Sequence, residues 1–264
     1  MKTRIISAAV AIAIAIPFVY FGGIYYAFAI GLLAILGFKE IIDLKKSHGK
    51  IPFLVNMIAI LGILLMIYTN IDGSNVIYGI TYMRTIFLAL SLLIPTLFYK
   101  NDSYTTKDAF YLIGISLFLG ISFNSFLLVR DKGLNLFIYL VSIPMITDTF
   151  ALLCGKYFGK HKMCPKISPH KTWEGAIGGG IIGTAIPAVI YYFLIGTFSY
   201  KIIIGTLFLS SMGQIGDLLF SKIKRENDIK DYSNIMPGHG GILDRLDSTI
   251  FIFVSFIYII TILF

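Results

Sequence analysis

Polar positions in this chain gather into a few clusters, and the stretches between them are apolar almost without interruption. Runs close to the ~20 residues that cross a hydrocarbon core occupy roughly Ile5–Phe21, Ile24–Phe38, Ile51–Tyr68, Arg84–Tyr99, Ala109–Val129, Gly133–Cys154, Glu174–Gly196, Ile202–Phe220 and Ser248–Phe264. Within them apolar residues follow one another rather than alternate, so they predict helices and not the strands of a membrane barrel. The pattern therefore predicts an all-α, polytopic integral membrane protein with about nine transmembrane helices, the second short enough to be tilted or re-entrant. The first run, "IISAAVAIAIAIPFVYF" after Lys2 and Arg4, is longer than a usual signal-peptide core and reads as an uncleaved helix.

Composition agrees with this. Hydrophobic residues make up 57% of the 264, charged residues 14%, and mean hydropathy is +0.84, far more apolar than a soluble core of this size needs. The net charge of +8 becomes informative once it is placed. With nine crossings and the N-terminus inside, segments 1–4, 39–50, 100–108, 155–173 and 221–247 hold 18 of the 22 lysines and arginines, leaving only Arg84, Arg130, Lys132 and Lys201 outside. That bias predicts a cytoplasmic N-terminus, a multi-pass protein of the cell (inner) membrane, and inner-face loops that carry the functional groups. No soluble basic face is left for a nucleic acid, so none is expected as a partner. Cys154 and Cys164 match no metal or redox spacing.

The two halves differ. Residues 1–140 have short connections and no polar constellation, and read as scaffold; the loop "TNIDGSNVIYGITYM" is an expected outer connection. Residues 141–264 read as the functional half of one cooperative domain. There acids stand at the edges of spans: Asp148, Glu174, Asp217, Asp244 and Asp247. Ionisable groups at such depth are costly unless paired, hydrated or metal-bound, and so are functional candidates. In "EGAIGGGIIG" the spacing of Gly175, Gly179 and Gly183 puts small residues on one helix face, where another backbone can approach. It lacks the preceding strand and the Gly-Lys-Ser/Thr ending of a phosphate loop.

Three clusters carry the chemistry. "SPHKTWEG" crowds Ser168, Lys171, Thr172 and Glu174 at the entrance to a span, behind a run of lysines that headgroup anchoring alone explains. "SSMGQIGDLLFSKIKR" sets Gln214 and Asp217 beside Gly213 and Gly216; an acid there needs a partner, and a cation is the natural one. In "SKIKRENDIKDYSNIMPGHGGILDRLDS", Lys224, Arg225 and Lys230 can meet phosphates, while Asp231, Asp244 and Asp247 can hold a hard cation. Asp244 and Asp247, at i and i+3, share a helix face. The "PGHGG" turn offers backbone N–H groups, and His239 within it can donate to a phosphate oxygen. Carboxylates, cations and a glycine turn on one side of a membrane suit phosphoryl or nucleotidyl transfer.

The stretch Ser221 to Asp247 resembles the signature of the phosphatidate cytidylyltransferase (CDP-diacylglycerol synthase) family. The matching positions are Ser221, Lys224, Arg225, Lys230, Asp231, Pro237, His239, Gly240, Gly241, Asp244, Arg245 and Asp247, with "ISPHKTWEG" and Gly216–Asp217 also similar. Met236 and His170 depart from the usual pattern and remove no ligand. The resemblance implies conversion of CTP and phosphatidate to CDP-diacylglycerol and pyrophosphate. It further implies Mg²⁺ on Asp217 and Asp244, with Asp247 as a further ligand and a second cation left open. Lys224, Arg225, Lys230 and Arg245 would neutralise the triphosphate, Lys171 and His239 would meet a phosphate oxygen, and Ser168, Gly240 and Gly241 would line the substrate site. A homodimer is admitted, not required. The alternatives are a CTP-dependent polyprenol kinase, which would release CDP, and a cation-coupled transporter using Asp148 and Asp217.

Overall fold

The structure, a computed structural model, describes residues 2–44, 51–68, 82–99, 103–197, 199–236, 238 and 240–263. Among them the chain forms nine α-helices: α1 (Lys2–Phe21), α2 (Gly23–Leu44), α3 (Phe53–Ile67), α4 (Tyr82–Leu93, continued by a 3-10 turn Ile94–Leu97), α5 (Thr106–Lys132), α6 (Leu134–Phe158), α7 (Trp173–Ile195), α8 (Tyr200–Glu226) and α9 (Leu243–Leu263). Each expected apolar run overlaps one of them, several overshooting the helix by one or two residues at an end. Of the described helices, α5, α6, α7 and α8 are both long and apolar enough to cross a bilayer. The expected outer loop after α3 lies outside the described residues.

Two features differ from the hydropathy reading. Helix α2 has 22 residues and is not short: it runs past Phe38 through Lys39, Glu40 and Asp43, because the end of an apolar run is not the end of a helix. Between α6 and α7, the lysine-rich segment read as plain loop folds into an antiparallel hairpin, β1 (Lys162–Cys164) with β2 (Ser168–Thr172), Lys162 opposite Thr172 and Cys164 opposite Ser168.

The chain divides into two compact units. The first comprises Met1–Leu128 and Tyr232–Leu243, the second Val129–Asp231 and Asp244–Phe264. In the first, Thr105 and Asp108 start α5 with a reciprocal cap: Asp108 Oδ2 accepts from the Thr105 N–H and hydroxyl, both at 2.8 Å, and the Asp108 N–H donates to Thr105 Oγ1. Asn124 in α5 donates to the Ile67 carbonyl at 2.7 Å, which satisfies one of the last carbonyls of α3.

In the second unit α6 and α7 mesh backbone to backbone. A Cβ on Gly175 would meet the Ala151 carbonyl and the Gly155 Cα, one on Gly179 the Thr147 carbonyl and Ala151, and one on Gly183 the Thr147 side chain. Two rows at i, i+4, i+8 thus interlock, as the glycine spacing predicts. The other face of α7 exposes Ile177, Ile181, Val189 and Phe193, apolar groups suited to lipid. Buried polar pairs join α6 to α8. Thr147 and Ser210 hydroxyls are 2.9 Å apart. Tyr139 donates to Thr206 Oγ1 at 2.7 Å, since the Thr206 hydroxyl itself donates to the Ile202 carbonyl. Helix α9 packs through Phe253 on Phe137 of α6 and Phe251 on Phe220 of α8.

Candidate active site

Lys171 is positioned by the hairpin. It is the penultimate residue of β2, and the next residue, Thr172, caps α7 by accepting the Gly175 N–H on Oγ1 at 3.1 Å. Glu174, in the first turn of α7, reaches back to the start of the hairpin. Its carboxylate accepts the Lys160 N–H at 3.1 Å and the His161 N–H at 3.2 Å, and lies 2.6 Å from His161 Nδ1. The other side of the hairpin is held by Arg225, whose Nε donates to the Ile167 carbonyl at 3.4 Å and whose guanidinium also donates to the Ile229 carbonyl at 3.0 Å. "SPHKTWEG" therefore acts as a rigid strand-to-helix joint aimed by Thr172 and Glu174.

Helix α8 presents Gln214, Asp217, Ser221 and Lys224 at intervals of three or four residues, a single stripe. Gln214 Nε2 donates to the Ala176 carbonyl on α7, and Ser221 donates to Asp217 Oδ1 at 3.3 Å. Gly213 and Gly216 admit α9: a Cβ on Gly216 would stand 2.8 Å from the Asp247 carbonyl and from the Phe251 ring, and one on Gly213 2.8 Å from Ile252. That close approach brings acids from separate helices together.

Two ion pairs result. Lys171 Nζ lies 2.6 Å from Asp217 Oδ2, with side chains 30% and 26% exposed, and Lys224 Nζ donates to Asp244 Oδ1 at 2.7 Å, with side chains only 11% and 3% exposed. Asp247, one turn after Asp244, has Asp217, Lys224 and Asp148 within electrostatic reach and accepts the Ser248 N–H at 2.7 Å. Asp148, on the open side of α6, faces Asp217 and Lys171. Beside it the Ser248 hydroxyl is buried, and it interacts with the Asp148 carboxylate. Four carboxylates and two lysines from α6, β2, α8 and α9 thus form one electrostatically coupled cluster.

The donor chemistry fits a hard divalent cation, which takes carboxylate oxygens. Among the described residues, no three His, Cys, Asp or Glu side chains stand ready to enclose a metal. Mg²⁺ typically takes one or two protein carboxylates and completes its shell with phosphates and water, so the arrangement suits a site finished by substrate.

The remaining expected residues are distributed as follows. Ser168 is half-buried at the start of β2, opposite Cys164, and Lys230 and Arg245 are exposed. Gly240 and Gly241 are buried in the first unit, where the Met236 N–H donates to the Gly240 carbonyl and closes a turn with Gly238 and Gly240 at φ 76° and 81°. Such backbone favours glycine at both positions. His239 lies outside the described residues. Sequence reasoning missed the bracing by Glu174, although a Thr followed two residues later by an acid at the start of an apolar run is a pattern suited to a helix N-terminus. It also missed Glu40, whose partners lie some 200 positions away.

Comparison with known proteins identifies the family. The model of the cytidylyltransferase family matches residues 2–263. A phosphatidate cytidylyltransferase of Staphylococcus aureus (strain COL) is 35% identical over 254 residues, 96% of each chain. Those of Staphylococcus haemolyticus and Staphylococcus saprophyticus are 34% identical, again over 96% of each chain. The signature resemblance, the coupled acids and lysines, and a match along nearly the whole length agree: the chain belongs to the cytidylyltransferase family and is a nucleotidyltransferase built of apolar helices.

Proposed function

We propose that this protein makes CDP-diacylglycerol from CTP and phosphatidate, with its site on the cytoplasmic face of the cell membrane. The observation that carries the reading is the pair of lysine–aspartate contacts, Lys171–Asp217 and Lys224–Asp244, which join the three sequence clusters. Phosphatidate presents an oxygen that is already anionic. That oxygen attacks the α-phosphorus of CTP, the bond from this phosphorus to the oxygen bridging to the β-phosphate breaks, and pyrophosphate leaves with the electron pair. No proton need be removed, so acids and cations that position the phosphates and balance their charge suffice.

Positioning and charge are then the protein's main contributions. Lys171, braced by the hairpin, binds one phosphate. Lys224 and Arg245 offset charge on the triphosphate, and Lys230 adds to the positive field in which it arrives. Arg225, which holds Ile167 and Ile229, orients the hairpin as well as contributing charge. Ser168, Gly240 and Gly241, with His239 of the same signature, are assigned to substrate contacts. Asp217 and Asp244, with Asp247 adjoining, would hold Mg²⁺. The ion would neutralise the triphosphate and the departing pyrophosphate. The excess of lysine and arginine in the segments read as internal supports a cytoplasmic site.

Purified protein given phosphatidate and CTP labelled at the α-phosphate tests the reading. Label in the lipid product with unlabelled pyrophosphate released is the expected result. Label retained in free CDP, with a newly phosphorylated lipid, would show a kinase instead.

A further inference from the structure

Glu40 is an acid on α2 for which the reaction just described has no use. It is 2% exposed, where a carboxylate is costly unless donors surround it. The donors come from one short segment of the signature. Ser233 donates its hydroxyl to Glu40 Oε1 at 2.6 Å, the Ile242 N–H donates to Oε1 at 2.8 Å, and the Leu243 N–H donates to Oε2 at 2.9 Å. The last two N–H groups open α9 and have no carbonyl within that helix to bond. A side chain from α2 thus does the work normally left to a local capping residue.

The fit around the acid is close. A Cβ on Gly241 would overlap the Glu40 carboxylate, and one on Gly37, a turn earlier on α2, would come 3.2 Å from Leu243. Tyr232, Ile242 and Leu243 are buried as well. Residues 37 and 40 therefore grip the chain at 241–243, and the next residue of α9 is Asp244.

We propose that Glu40 is a positioning residue for nucleotidyl transfer: through the Ile242 and Leu243 amides it fixes the first turn of α9 and with it the carboxylate of Asp244. The role rests on the cytidylyl-transfer reading above. Glutamine at position 40 keeps the size and at most two of the three bonds, because its amide nitrogen cannot accept an N–H. Alanine removes all three.

The test compares wild type, Glu40→Gln and Glu40→Ala in detergent–lipid micelles, measuring kcat and the KM for phosphatidate per correctly folded molecule, together with hydrogen exchange at Ile242 and Leu243. In Glu40→Gln, exchange at whichever of these two amides meets the new amide nitrogen, and so loses its acceptor, is expected to accelerate by about tenfold. Its kcat is expected to fall by about tenfold to a hundredfold, with KM for phosphatidate changed by less than about threefold. Should Glu40→Ala fail to insert, Glu40→Gln alone decides. Active wild type with kcat unchanged in Glu40→Gln overturns the positioning role and leaves the reaction standing. Wild type that forms no CDP-diacylglycerol overturns the cytidylyl-transfer reading, and the positioning role with it.

Discussion

Asp244 and Lys224 show how much a single side chain can carry here. With the carboxylate 3% and the ammonium-bearing side chain 11% exposed, removing one partner strands the other. Lys224→Met is therefore expected to destabilise the protein by about 3–5 kcal/mol, read as a lowered unfolding midpoint in detergent. The contrast is Lys222–Glu226 on the same helix, 3.6 Å apart and more than half exposed on both sides. There Glu226→Gln should stay within about 0.5 kcal/mol of wild type. The acids were legible in the sequence because carboxylates beside apolar runs demand partners. Which partner each takes was not: Lys224 read as a phosphate contact, and its pairing with Asp244 depends on how α8 and α9 pack. Glu40 was less visible still, since its three donors lie in a segment that only the fold brings to it.

Elements were read best where composition is least ambiguous. Helices α5 to α8 follow from uninterrupted apolar runs, and the α6–α7 interlock from glycines four apart. That interlock makes a prediction with an internal control. Gly183→Leu should break the packing against Thr147 and lose folded, monodisperse protein. Gly180→Ala, whose Cβ would meet only Gln214 Nε2 at 3.6 Å, should be tolerated and gain up to about 1 kcal/mol from helix propensity. Size-exclusion profiles and unfolding midpoints measure both. The hairpin was not legible because β1 has three residues and its lysines looked like a headgroup anchor. The length of α2 was hidden for a related reason: Lys39, Glu40 and Asp43 end the hydropathy signal while the helix continues for another turn and a half.

At the scale of the whole molecule, membrane orientation and catalysis have to agree. If the loops rich in lysine and arginine face the cytoplasm, then in a Cys154→Ser background a membrane-impermeant maleimide should label Cys164, half-buried in the hairpin, from the cytoplasmic side only. Labelling from the opposite side would invert the topology and remove CTP's access to the site. The central claim is that aspartates from different helices, each held against a lysine, form the transfer site. Turnover of CTP and phosphatidate by Asp217→Asn and Asp244→Asn, normalised to inserted and monodisperse protein, tests it most directly. Asp228→Asn serves as the control, an exposed residue at φ 54°, a conformation that asparagine also adopts. The account predicts that the control turns over as wild type does, while each of the other two falls by at least about a hundredfold. Near-normal turnover in either Asp217→Asn or Asp244→Asn would contradict it.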